Sequence, residues 1–231
     1  APEAALRQFI DFSKSYRKKF KSSFNWGHPI AKELVYVFGR SNFLATRLNK
    51  NPELGLELLG SPFLYQKKKI VEMENGLRQR SGLKPNYSIS EFKTALRCFK
   101  YEEFLRITIR DLAELCPFEE TLEELSSVAI CCLRESLAFV ASHETVFLEE
   151  SKKDLMISAS EIKYGKTSRS TKLSSNPNFP FCILALGKLG GNELNYSSDV
   201  DLIFIHDNET LTGDIDLDNK IRIKAARLLI E

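Results

Sequence analysis

ALGKLGGNELNYSSDVDLIFIHD, residues 185–207, opens apolar, passes through three glycines and returns as a second apolar run headed by Asp199 and Asp201. The texture reads as a strand, a glycine turn and a second strand, because short continuous apolar runs bounded by glycine mark buried strands. Cys182–Leu186 supplies the first strand, expected to be buried on both faces, and Asp199–Ile205 the second. Side chains alternate faces along a strand, so residues two apart share one. Asp199 and Asp201 are expected to project together, with Val200, Leu202 and Phe204 turned toward a core. Two carboxylates held so close repel each other, and a divalent cation relieves the repulsion. Mg²⁺ suits the position: it takes oxygen ligands, often one or two carboxylates, with phosphate oxygens and water completing its shell.

The glycine turn supplies the other half of a site. Gly190 and Gly191 allow close backbone approach to a ligand, and their N–H groups are expected to cradle a phosphate. Lys188 adds a positive charge, and Ser197 and Ser198 add hydroxyl donors beside the aspartates. A phosphate cradle next to a Mg²⁺ clamp is equipment for moving a nucleotidyl group, a reaction driven by neutralising and orienting phosphate oxygens. Either feature alone has a plainer reading: a DxD pair as turn chemistry or an unrelated cation site, a glycine pair as an ordinary turn. Their short spacing on adjacent strand ends points to nucleotidyl transfer.

Further along, Asp214, Asp216 and Asp218 invite a calcium-loop reading, which fails because Asn219 stands where the loop needs glycine and Ala225 where it needs glutamate. Asn208–Gly213 reads as a turn, and Asp218 as the cap of a last helix with Ile221, Ala225, Leu228 and Leu229 inward. His206 lies at the far end of the second strand from Asp199, which suits a structural role, and His28 and His143 have no evident partner.

Upstream, residues 158–180 mix serines and lysines with Asn176, Pro177, Asn178 and Pro180 and carry no apolar periodicity, as expected of a long surface loop or linker. Before that, residues 1–157 read as a helical bundle. Ser88–Glu91 and Thr121–Glu124 both fit a capping box. Leu105, Ile109, Leu112 and Cys116 form one helical stripe, ended by Pro117. Leu122, Leu125, Ala129, Cys132, Leu133, Leu137 and Val140 form the next. Two amphipathic helices joined by a short turn must bury such stripes. The basic runs Lys14–Lys21 and Lys67–Lys69 fit solvated helix faces better than a surface for an acidic partner.

The 231 residues are 43% hydrophobic, enough for one large or two small cores. With 33 Lys+Arg against 31 Asp+Glu, the net charge of +2 argues against a dedicated nucleic-acid binder. No stretch reaches the roughly 18 apolar residues of a membrane span. No signal peptide is visible, although Ala1 is not a natural start. Cys98, Cys116, Cys131, Cys132 and Cys182 form no CxxC pair, so they read as reduced core thiols of a cytoplasmic protein rather than metal ligands.

GKLGGNELNYSSDVDLIF (residues 187–204) closely resembles the signature of the glutamine-synthetase adenylyltransferase/deadenylylase family, bifunctional bacterial regulators within the polymerase-β-like nucleotidyltransferase superfamily. LRCFKYEEFLRITIRDLAEL (96–115) is similar to that family's helix ahead of its first nucleotidyltransferase domain, and FGRSNFLATRLNKNPEL (38–54) to its amino-terminal segment. The likeness covers most of residues 30–231 except the serine-rich loop. It implies an α+β, mostly α chain: an amino-terminal helical bundle, then the start of a nucleotidyltransferase-like mixed sheet domain over residues 181–231. It implies Asp199 and Asp201 as metal ligands, and Gly190 and Gly191 as the phosphate-side turn with Ser198 beside it.

One half of the family attaches AMP from ATP to a tyrosine of glutamine synthetase; the other removes it by phosphorolysis, giving ADP. ELNYSSDVDLIF and RITIRDL resemble the amino-terminal, adenylyl-removing half more closely. The partners implied are glutamine synthetase, nucleotide, phosphate and the PII signal protein. The superfamily's third carboxylate, on a strand after the next helix, has no counterpart before Glu231. The chain is therefore expected to be the front part of a deadenylylase domain, with little activity alone. A non-catalytic module that docks glutamine synthetase or PII is the alternative from another class. The missing third acid favours it, and the intact glycines and aspartates oppose it.

Overall fold

The structure, a computed structural model, describes residues 2–28, 30–81, 88–148, 181–206 and 215–230. Among these residues it is mostly helical with one small antiparallel sheet. The chain divides into two compact units, Ala1–Leu125 and Ser126–Glu231. The serine-rich segment 158–180 and the turn expected at Asn208–Gly213 lie outside the described residues. Among the described residues no helix is long and apolar enough to cross a membrane.

The first unit is built from α1 (Pro2–Phe20), α2 (Ile30–Arg40), α3 (Asn42–Lys50), α4 (Pro52–Leu59), α5 (Ile70–Ser81), α6 (Ile89–Leu112) and the start of α7 (Phe118–Leu148). Helices α3 and α6 begin where side chains satisfy the orphan N–H groups of a first turn. The Ser41 hydroxyl accepts the Leu44 N–H at 3.2 Å, and Pro52 opens α4, where a missing donor costs nothing. Ser88 and Glu91 form the expected capping box at α6: the Ser88 hydroxyl accepts the Glu91 N–H, and the Glu91 carboxylate accepts the Ser88 N–H at 2.9 Å. The core gathers Phe12, Phe24, Leu34, Val37, Phe38, Leu48, Leu64, Leu105 and Ile109. At its edge Trp26 stacks on Phe9 and meets Phe24 edge-on with ring centroids 4.4 Å apart.

The unit also holds a set of buried charges. Arg106 and Arg110, one turn apart on α6, both donate to the Glu124 carboxylate, Arg106 at 2.8 Å. Glu124 also accepts the Lys68 N–H at 3.0 Å. Arg106 reaches Glu103 and the Phe63 carbonyl; Arg110 reaches Glu120 and the Leu64 carbonyl. The two arginines thus hold the 3-10 turn Pro62–Leu64 by its Phe63 and Leu64 carbonyls.

The structure here corrects three expectations. Thr121–Glu124 is not a capping box: α7 starts three residues earlier, with the Pro117 carbonyl accepting the Glu120 N–H at 3.1 Å. Glu124 is taken by the arginines and Thr121 is fully buried inside the helix. Pro117 does not end α6 either. The helix stops at Leu112 because Glu114 turns left-handed at φ 56 and the Leu115 N–H returns to the Arg110 carbonyl at 2.8 Å, a Schellman closure. Nor is Lys67–Lys69 simply a solvated face, since Lys68 pairs with Glu103 at a side-chain exposure of 15%. The basic residues of α1 are exposed, with Lys19 paired to Glu53 at 3.1 Å.

None of the five cysteines is joined in a disulfide. Cys131 is buried as expected, but Cys98 is exposed. Burial pushes the Cys116 thiol above its ordinary range, with the Thr121 hydroxyl 3.6 Å from the sulfur. His28 has a partner the sequence did not reveal: its Nδ1 accepts the Ile30 N–H at 3.3 Å.

The second unit comprises the rest of α7, β1 (Phe181–Ala185), the single turn α8 (Gly187–Gly190), β2 (Leu202–His206) and α9 (Ile215–Ile230). β1 and β2 pair antiparallel, with Ile183 opposite Phe204 and Ala185 opposite Leu202. Ile183 and Ala185 are buried, while Cys182 and Leu184 are half-buried and Ile203 and Ile205 are 44% and 49% exposed. β1 is therefore covered on one face of the ribbon rather than both. In α9 the helix begins at Ile215, so Asp218 lies within its first turn instead of capping it, and Ala225 is buried as expected.

Candidate functional site

The loop between α8 and β2 carries the aspartates, and its shape follows from three local devices. Gly187 enters α8 at φ 56, a left-handed conformation that side chains resist. A Cβ placed there would meet Asp201 Oδ2 at 3.0 Å. Gly190 lies so near β1 that a Cβ would meet the Ala185 carbonyl oxygen at 2.6 Å. Asn195 then organises the return: its Oδ1 accepts the Ser197 N–H at 3.1 Å and the Ser198 hydroxyl at 2.7 Å, and its own N–H donates to the Ser198 oxygen.

Asp201 stands at the mouth of the hairpin. Its carbonyl accepts the Leu186 N–H at 2.9 Å, which extends the ladder one step past β2. Its carboxylate lies against Gly187. Asp199 is two residues upstream, before the strand, and both aspartates are exposed. The strand thus starts at Leu202 rather than Asp199. Leu202 and Phe204 are half-buried as the alternation requires, but Val200 is 41% exposed because strand pairing does not reach it.

The glycines act differently from the expectation. The Gly190 and Gly191 N–H groups donate to the carbonyls of Leu186 and Gly187, both at 3.0 Å. These donors close the α8 turn, so the two N–H groups are engaged within the chain rather than aimed at a ligand. Ser198 is likewise engaged with Asn195. Lys188 is exposed on α8. Gly187 and Asn195 were missed as site residues. Gly187 is the first glycine of the quoted stretch, and Asn195 precedes the serines at Asx-turn spacing, but only the fold shows that one abuts Asp201 and the other binds Ser198.

These contacts predict unequal costs for two neighbouring glycines. Gly190→Ala forces backbone to move and is expected to lose about 1–3 kcal/mol, the usual cost of overpacking. Gly191→Ala meets nothing closer than 3.6 Å. Urea denaturation of both variants checks this, and equal losses would contradict the close approach at Gly190.

The two exposed carboxylates offer hard anionic oxygens, and neither is paired with a cation among the described residues. No cluster of three or more His, Cys, Asp or Glu side chains suited to a metal is found among the described residues. A donor set of two aspartates fits Mg²⁺, which takes one or two carboxylates and leaves its other positions to water and phosphate.

Residues 31–228 match the family model described as glutamate-ammonia ligase adenylyltransferase. The chain is 33% identical over 203 residues to the bifunctional glutamine synthetase adenylyltransferase/adenylyl-removing enzyme of Nitrosococcus oceani, a match covering 86% of this chain and 19% of that protein. It is 30% identical to the proteins of the same description from Hahella chejuensis (75% of this chain, 16% of that protein) and Shewanella oneidensis (82% and 18%). The chain spans about a fifth of the length of these curated relatives.

Proposed function

The chain belongs to the glutamate-ammonia ligase adenylyltransferase family, and on that premise we propose that its second unit takes part in Mg²⁺-assisted removal of AMP from an adenylylated tyrosine of glutamine synthetase. The observation that carries this is the Asp201 carboxylate held against Gly187 at the hairpin mouth, with Asp199 two residues before it and both exposed. The relatives' names join attachment and removal of the adenylyl group. The removing direction is supported by the likeness of ELNYSSDVDLIF and RITIRDL to the adenylyl-removing half of the family. A PII signal protein as regulator and a cytoplasmic setting go with this reading.

Asp199 and Asp201 would hold the cation. When bound, Mg²⁺ neutralises phosphate oxygens and aligns an in-line displacement. Gly187 leaves the Asp201 carboxylate room, and the Leu186 N–H fixes its backbone. The α8 turn lets a phosphate come close to the main chain, and Lys188 adds positive charge there. In the reaction an oxygen of inorganic phosphate attacks the adenylyl phosphorus. The bond from phosphorus to the tyrosine oxygen breaks, that oxygen takes a proton, and ADP leaves.

The test is phosphate-dependent ADP release from adenylylated glutamine synthetase with Mg²⁺, measured for the chain alone and within a polypeptide of the relatives' full length. Release by the longer form, lost on Asp199→Asn, is the expected result. AMP incorporation from ATP without release would reverse the direction. Neither activity, with glutamine synthetase still bound, would leave a docking module.

A further inference from the structure

We infer that Ser126, on α7, is a positioning residue for the loop that carries Asp199 and Asp201. The inference rests on the metal-binding reading of these aspartates. Ser126 is fully buried, and its Oγ accepts the Leu194 N–H at 2.9 Å across 68 positions of sequence. Leu194 is buried too, at 5% exposure. The loop is therefore clamped as it enters, by a side chain in the core and an N–H on a buried hydroxyl.

From that clamp the order propagates through short contacts. Asn195, the next residue, is tied to Ser197 and Ser198 by its side chain, and the Ser198 N–H donates to the Asn195 carbonyl at 3.2 Å. Asp199 follows directly. The far end is fixed by the Leu186 N–H on the Asp201 carbonyl. Both aspartates thus lie between two anchors, and Ser126 is the upstream one.

Without the hydroxyl, the Leu194 N–H is a buried donor with no acceptor from α7. It can regain one by reaching water, which means lifting Leu194 and the Asn195–Ser198 turn. Contacts that orient metal-binding residues commonly tune affinity by about 10–100-fold.

Two readouts on the purified chain test this: hydrogen exchange at the Leu194 amide, and affinity for Mn²⁺, a hard cation suited to the same oxygens, by electron paramagnetic resonance. Ser126→Ala is expected to speed Leu194 exchange at least about tenfold and to weaken Mn²⁺ about 10–100-fold. Ser126→Thr keeps the hydroxyl and is expected to keep affinity within about threefold, which carries the test if the alanine variant is poorly folded. Asn195→Ala is expected to weaken Mn²⁺ while Leu194 stays protected. Unchanged Mn²⁺ affinity in Ser126→Ala, or unchanged Leu194 exchange, overturns the inference. Absence of Mn²⁺ binding in the unsubstituted chain, or binding indifferent to Asp199→Asn, instead refutes the metal reading and removes the inference with it.

Discussion

Glu124→Ala is expected to destabilise the first unit by about 3–5 kcal/mol, the range for breaking a buried ion pair from one side. The physical reason is what remains behind. Arg106 and Arg110 are 2% and 1% exposed, and both direct a guanidinium N–H at this carboxylate. With it gone, two buried cations share Glu103 and Glu120, and the Lys68 N–H loses its acceptor. Neighbouring Glu123 is the control. Its partner Lys67 is as exposed as it is, each 44%, and such pairs contribute about 0–1 kcal/mol. Guanidinium denaturation followed by far-ultraviolet circular dichroism separates the two. A loss of several kcal/mol is a large part of the 5–15 kcal/mol typical of a domain, so Glu124→Ala should shift the transition far below that of Glu123→Ala. If the two variants unfold within about 1 kcal/mol of each other, the arginines do not depend on Glu124.

If the proposed function holds, Asp201→Asn is expected to abolish measurable Mn²⁺ binding by the chain and to lower phosphate-dependent ADP release by a polypeptide of the relatives' length about 10²–10³-fold. That range follows from losing several kcal/mol of charge stabilisation at a tenfold rate change per 1.36 kcal/mol. The substitution keeps size and hydrogen-bonding capacity while removing the charge, so the loop should keep its shape. The Leu186 N–H to Asp201 carbonyl bond uses the main chain and is unaffected. Asp199→Asn should behave similarly. Retained Mn²⁺ binding in Asp201→Asn, with the Leu186 amide still protected from exchange, would show that the carboxylate against Gly187 is not a ligand.

Much of this was legible in the sequence because its signals are local. The Ser88–Glu91 box, the helical stripes through Leu105 and Ile109, and the glycine turn between two apolar runs each depend on residues a few positions apart. Where the reading failed, a local pattern was outvoted by a distant partner. Thr121–Glu124 has the spelling of a capping box, but Glu124 is claimed by arginines 14 and 18 positions away, and the helix starts at Phe118. Pro117 is a helix breaker by composition, yet Glu114 had already ended α6 by turning left-handed, which glycine signals far more plainly than glutamate does. In the site, the aspartates and glycines could be picked out as a motif. The contact between Gly187 and Asp201 needed the fold, as did the Leu194 N–H on Ser126.

The stacking of Trp26 on Phe9 has a spectroscopic consequence. Trp26 is the single tryptophan of the chain and belongs to the first unit. Indole emission therefore reads the aromatic packing of Phe9 and Phe24 around Trp26 in that unit. An unfolding titration followed by tryptophan emission would thus report on the aromatic edge of the first unit, without a label or a cut in the chain.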